Sequence, residues 1–130
     1  MTLYYLDTSA AVKLLLAEEG ANPLIRWLES HEDQVFSSDL LRTELLRATR
    51  RIAPELMVQA RAILDALVLL TLSTELCERA AILEPRLLRS LDAIHLAAAM
   101  EMGDELRGLV TYDYRLAAGS EGLGIEVLMP

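Results

Sequence analysis

A chain of 130 residues, 53% hydrophobic and 25% charged, has the length of one domain with one core and needs no disulfide or zinc staple to hold it. Its single cysteine, Cys77, excludes an intrachain disulfide, and also zinc sites made of four cysteines or of two cysteines and two histidines. A net charge of −8 argues against sequence-independent binding to nucleic acid through Lys and Arg, but carboxylates spent as metal ligands inflate that count, so charge has to be read site by site.

Met1 to Leu6 leads straight to an Asp with no basic and then apolar leader, and no apolar run reaches the length of a membrane span, so a soluble, cytoplasmic chain is expected. Tyr4, Tyr5 and Leu6 make a short strand closed by Asp7, Thr8 and Ser9, and Ala10, Val12, Leu14 and Leu15 follow at helical spacing up to Gly20. Asn22 and Pro23 open a second helix carrying Leu24, Trp27 and Leu28. Val35 and Phe36 form a second strand, Ser37 and Ser38 cap a helix over 39–51, and Pro54 opens another that runs to about residue 66. The stretch 67–72 is a third strand, and Ser73 and Thr74 cap the helix after it. Ser90 precedes a helical segment through Met102, ended by Gly103. Leu109, Val110 and Thr111 make a fourth strand that finishes at Tyr112 and Asp113, and 125–128 make a fifth. This alternation predicts an α/β domain spanning 1–130, with an open, mostly parallel five-stranded sheet and helices on both faces. Helix should exceed strand by about two to one.

In a parallel sheet, ligands collect at the carboxyl ends of the strands, near the point where strand order reverses. Asp7 follows the first strand and Asp113 the fourth; Asp92 stands in the first turn of its helix, where a helix-start role competes with a chemical one, and Glu44 lies beside the apolar face marked by Leu41, Leu45 and Ala48. Four converging carboxylates would repel by roughly 4 kcal/mol per pair at 4 Å and an effective dielectric of 20, and so take up protons or a cation. Oxygen donors without cysteine or a clear histidine select a hard ion, Mg²⁺ or Mn²⁺, and such a site suits phosphoryl chemistry.

The segments YLDTSAAVKLL (5–15), SSDLLRTELLRATRR (37–51), LRSLDAIHLAAA (88–99) and LVTYDYRLA (109–117) resemble, in order and spacing, the four signature segments of PIN-domain ribonucleases, and more narrowly the VapC toxins of toxin–antitoxin pairs. The resemblance implies a Rossmann-like PIN domain that uses Mg²⁺ or Mn²⁺ to hydrolyse RNA, with the family's four acids at Asp7, Glu44, Asp92 and Asp113. Asp7 and Asp92 are then the leading metal ligands, Asp113 a direct or water-mediated one, and Glu44 a ligand or the acceptor of the water's proton. Ser9 and Thr111, each two residues from an acid, are expected to orient carboxylates or a bound water, beside their simpler role in local capping. The family also implies a homodimer and a small VapB-like antitoxin, for which Leu14, Leu15, Leu24 and Trp27 are candidate contacts.

Arg115 stands where some relatives carry a further acid, which puts a second metal site in doubt and leaves a phosphate contact or an ion pair as its role. Arg42 and Arg47 are candidate RNA contacts against a default of solvated helix surface, and Arg61, Arg86 and Arg89 are candidates for a rim. His95, one helical turn after Asp92, reads as a packing or supporting residue and not as a ligand. His31 reads as solvated, Cys77 as a small core residue and Trp27 as core or interface. A P-loop NTPase is excluded for want of GxxxxGK[ST], a receiver domain for want of a late lysine, and a haloacid-dehalogenase phosphatase because Ser9 stands where its second Asp belongs. The remaining alternative is a catalytically silent PIN-like module that binds protein.

Overall fold

The computed structural model describes residues 1–17 and 20–130. Leu3–Leu6 (β1), Val35–Ser38 (β2), Val68–Leu70 (β3), Leu106–Val110 (β4) and Val127–Leu128 (β5) form one sheet in the order β3-β2-β1-β4-β5. Every pairing is parallel, so the sheet is parallel throughout. The α-helices of the described residues are Thr8–Leu16 (α1), Ala21–Glu29 (α2), Asp39–Ile52 (α3), Met57–Asp65 (α4), Thr74–Ala81 (α5), Ser90–Met100 (α6) and Tyr114–Gly122 (α7). No helix among them is long and apolar enough to cross a membrane.

Successive side chains of a strand point to opposite faces, so a strand covered on both sides is apolar at every position. Tyr5 and Leu109 accordingly enter one core layer with Phe36, Leu76, Leu96 and Leu116, while Leu6 and Val110 enter the other with Leu24, Leu41, Leu45 and Leu64. Small residues at Ala93, Ala97, Ala98 and Ala99 bury most of α6 in the first layer. β5 crosses close over Gly108, where a side chain would press on Leu128 and put its first carbon 3.0 Å from the Glu126 carbonyl.

The chain builds β2 and β3 on one side of β1 and then crosses to β4 on the other. The crevice outside the carboxyl ends of β1 and β4 is therefore the switch point at which this class of sheet takes its ligands. Asp7 and Asp113 close those two ends and also cap the helices that follow: Asp7 accepts from the Ala10 N–H, and Asp113 from the N–H groups of Arg115 and Leu116. A carboxylate after an apolar strand thus has a structural reason to be there that the sequence reading had not assigned.

Several expectations change. Helix exceeds strand by far more than two to one, because the strands are only two to five residues long. α1 ends at Leu16 with Ala17 in the left-handed region (φ 48°), and Gly20 (φ 83°) stands before α2 instead of ending α1. Pro54 opens a 3₁₀ turn before α4. Cys77 is exposed, because on α5 it is Leu76 and Ala80 that face the sheet. His31 is half-buried, not solvated: its ring stacks on Trp27 at 4.1 Å, and its Nδ1 lies 2.7 Å from the Trp27 carbonyl.

Candidate active site

A cavity of about 300 Å³ opens at the switch point, lined by Asp7, Glu44, Asp92 and Asp113 together with Thr8, Ser9, Arg89, Ser90, Leu91, His95, Arg115 and Leu116. Four acids from the end of β1, from α3, from the first turn of α6 and from the end of β4 therefore share one wall-to-wall space. They are not left to repel one another, because each has its own partners.

Asp7 is only 3% exposed. The Thr111 hydroxyl donates to its Oδ2 at 2.7 Å and the Ser9 hydroxyl reaches both oxygens at 2.8 and 3.0 Å. Each hydroxyl oxygen in turn accepts a backbone N–H, Ser9 from Tyr112 and Thr111 from Asp113, which ties the ends of β1 and β4 into one network. With a backbone N–H already on its oxygen, each hydroxyl is left to donate to Asp7. Burial pushes the Asp7 carboxyl above its ordinary range, opposed by these hydroxyls, by the Ala10 N–H and by His95.

Glu44 sits in the second turn of α3 and accepts from Thr8 at 2.6 Å and from His95 Nε2 at 2.7 Å, both on Oε1. Burial alone would raise its carboxyl, but the His95 and Thr8 hydrogen bonds and the proximity of His95 outweigh that and hold it below the usual range. Asp92, 7% exposed, takes Arg115 Nε on Oδ2 at 3.1 Å. The Arg115 side chain is 54% exposed, and an ion pair that open to water contributes little to stability.

No three Asp, Glu, His or Cys side chains among the described residues stand close enough to enclose a metal ion as they are arranged. The crowding of four carboxylates expected from the sequence is not found in this arrangement: Asp92 turns to Arg115, Glu44 to His95 and Thr8, and Asp113 to backbone N–H groups. The donor set nevertheless suits a hard cation. The hydrogen bonds to Glu44 fall on Oε1, those to Asp92 on Oδ2 and those to Asp113 on Oδ1, and among the described residues none donates to the second oxygen of each. Oxygen-only donors of this kind select Mg²⁺ or Mn²⁺ over softer metals.

Arg42 and Arg47, expected near RNA, are exposed on α3 outside the cavity lining, and Arg42 pairs with Asp39 at 3.3 Å. The cations at the cavity are Arg89 and Arg115. His95 supports Glu44, in keeping with its reading as a supporting residue. Thr8 and Tyr5 were not singled out. A buried tyrosine needs a partner for its hydroxyl, and that requirement is the signal that points to Tyr5.

Comparison with known proteins agrees with this architecture. The sequence profile of the PIN domain family matches residues 4–121. The chain is 40% identical over 132 residues to Ribonuclease VapC47 of Mycobacterium tuberculosis (strain CDC 1551 / Oshkosh), covering 98% of this chain and 97% of the relative. It is 38% identical over 130 residues to Ribonuclease VapC46 of Mycobacterium tuberculosis (strain ATCC 25618 / H37Rv), covering 100% and 99%. A toxin–antitoxin complex from Klebsiella pneumoniae contains a chain of the same fold, with a TM-score of 0.75 at 23% identity and with 98% and 97% of the two chains covered.

Proposed function

The chain belongs to the PIN-domain family, in its VapC branch, and from that premise we propose that it is a divalent-metal-dependent endoribonuclease toxin neutralised by a cognate antitoxin. The observation that carries this reading is the switch-point cavity, whose four acids are each held by hydrogen bonds and three of which keep an oxygen that no described residue donates to.

Asp7, Asp92 and Asp113 would hold Mg²⁺ or Mn²⁺, with Ser9 and Thr111 aiming the Asp7 carboxylate. When bound, such an ion acidifies a water and offsets negative charge on the phosphoryl oxygens. Glu44, kept ionised by His95 and Thr8, serves as a further ligand or accepts the proton of the attacking water at Oε2. Arg115 leaves Asp92 for a phosphate oxygen of the substrate, and Arg89 guides the strand at the rim. Arg42 and Arg47 would meet the RNA further out.

Incubation of the purified protein with structured and single-stranded RNAs in Mg²⁺, Mn²⁺ or EDTA tests the reading. We expect cuts leaving 5′-phosphate and 3′-hydroxyl ends that vanish in EDTA. Undiminished cutting in EDTA overturns the metal role, and no cutting of any RNA beside tight binding to a protein partner favours the silent module.

Arg115→Gln should raise KM for RNA about tenfold and lower the dependence of log affinity on log salt by about one, the signature of one lost phosphate contact. The same variant should bind Mn²⁺ more tightly, because the guanidinium that competes for Asp92 is gone. Calorimetric titration and a salt series check both; a KM and salt slope equal to wild type leave Arg115 as an ion pair only.

The antitoxin is expected on the apolar groove of about 620 Å³ bounded by Leu14, Leu28, Val35, Ile63 and Leu67, with Glu32 and Asp33 at its edge. Of the contacts expected from the sequence, Leu24 is fully buried and so not available, Trp27 is half-buried, and Leu14 lines this groove. A homodimer remains an expectation, read out by the mass in solution.

A further inference from the structure

Glu44 stands at the end of a buried chain of hydrogen bonds that the roles given above do not use. Ser38 Oγ lies 2.8 Å from the Tyr5 hydroxyl, that hydroxyl lies 2.8 Å from His95 Nδ1, and His95 Nε2 lies 2.7 Å from Glu44 Oε1. The four residues come from β2, β1, α6 and α3. Ser38 and Tyr5 are fully buried and His95 nearly so. The Tyr5 ring is held edge-on by Phe36 and by the His95 ring itself, so its hydroxyl has one direction in which to point.

The end of this chain fixes its last donor: a carboxylate only accepts, so Nε2 carries the hydrogen that reaches Glu44. The imidazole ring is thereby gripped at both nitrogens, by Glu44 at Nε2 and by the Tyr5 hydroxyl at Nδ1, and Ser38 Oγ is the second partner of that hydroxyl.

We propose that Tyr5 is a positioning residue which holds the His95 ring through Nδ1, so that Nε2 pins Glu44 Oε1 and Oε2 is the oxygen presented to the cavity. Thr8 donates to the same Oε1 and completes the grip. Without the phenol hydroxyl the ring loses the partner that fixes its rotation, Nε2–H drifts from Glu44 Oε1, and the carboxylate swings. The inference rests on Glu44 being part of the reacting site. Its test therefore includes measurements that do not depend on RNA cleavage.

The experiment is Tyr5→Phe, which keeps the ring and its packing. The two histidines, His31 and His95, are labelled with ¹⁵N. The wild type is expected to show a downfield, exchange-protected Nε2–H of His95 held on Glu44, and Tyr5→Phe to lose that protection. Manganese affinity by calorimetry should fall about tenfold, the usual scale for a group that orients a ligand. kcat should fall by a similar factor while KM for RNA stays within about twofold. Ser38→Ala removes an equally buried hydroxyl from the same chain but leaves the Tyr5–His95 bond, so its Nε2–H signal and manganese affinity should match the wild type even if its Tm drops. Should Tyr5→Phe not fold, His95→Gln, whose amide reaches toward Glu44, should bind manganese more tightly than His95→Asn, whose amide stops near Tyr5. A wild-type His95 with no hydrogen on Nε2 overturns the proposal. So does a Tyr5→Phe variant with unchanged Nε2–H signal and manganese affinity, or the reverse order of Gln and Asn. A wild type that cuts no RNA sinks the functional reading, and the spectrum and manganese affinity still decide this one.

Discussion

Asp7→Asn is expected to lower RNA cleavage about a thousandfold and, at neutral pH without metal, to raise Tm. A thousandfold is about 4 kcal/mol of transition-state stabilisation, a reasonable loss for the most buried acid of the cavity. The gain in Tm comes from the opposite side of the same burial. The buried Asp7 carboxyl lies above its ordinary range, so the folded protein binds a proton more tightly than the unfolded chain does. Below the ordinary carboxylate range both states are protonated and nothing is lost; as pH rises through and above the folded value, the ionised carboxylate costs stability. Asn carries no charge and keeps one oxygen for the Ala10 N–H and the Ser9 hydroxyl, while its NH₂ meets Thr111, whose oxygen then accepts where its hydroxyl had donated, so its advantage appears at neutral pH and fades toward acid. Melts in EDTA at pH 7 and near pH 3, with cleavage assays in Mg²⁺, check both halves. Wild-type turnover removes Asp7 from the reaction, and a lower Tm at neutral pH shows that the hydroxyls and N–H donors outweigh desolvation.

Glu44→Gln should cut turnover about a hundredfold with the fold intact, within the range general-base removal produces. The amide oxygen can keep both donors on Oε1, so Thr8 and His95 retain their partner. Here the stability sign is reversed. The Glu44 carboxyl lies below its ordinary range, so its ionised form adds stability above the unfolded value, and that contribution disappears as pH falls through the folded one. Glu44→Gln should therefore melt below wild type at neutral pH and converge with it in acid, opposite to Asp7→Asn. Unchanged turnover at saturating metal removes Glu44 from the mechanism.

The two variants part in sign because Asp7 is dominated by desolvation and Glu44 by its donors, a distinction no count of acidic residues contains. The acids themselves were legible: Asp7 and Asp113 end apolar runs, Asp92 opens an alanine-rich helix, and Glu44 lies beside the Leu41 and Leu45 face. Arg115 was legible as an alternative between phosphate and ion pair, and the fold brings it to Asp92. Cys77 and His31 were misread for one shared reason. A polar or small residue one position off a helix's apolar stripe, or just beyond a helix end, is buried or exposed by what packs there, and local spacing carries only part of that information.

By itself the chain's pattern of short apolar runs, caps and amphipathic helices determines a parallel α/β sheet, because strands buried on both faces and helices buried on one leave different periodicities in the residues. The identity of four acids at the ends and faces of those elements comes with it. Only the tertiary structure decides which partners they meet. Residues 5, 38, 44 and 95 are joined by the neighbouring of β1 and β2 and the packing of α3 and α6 beside them, and hydrogen bonds that act over about 3 Å depend on that packing to a fraction of an ångström. Sequence separation does not encode such distances.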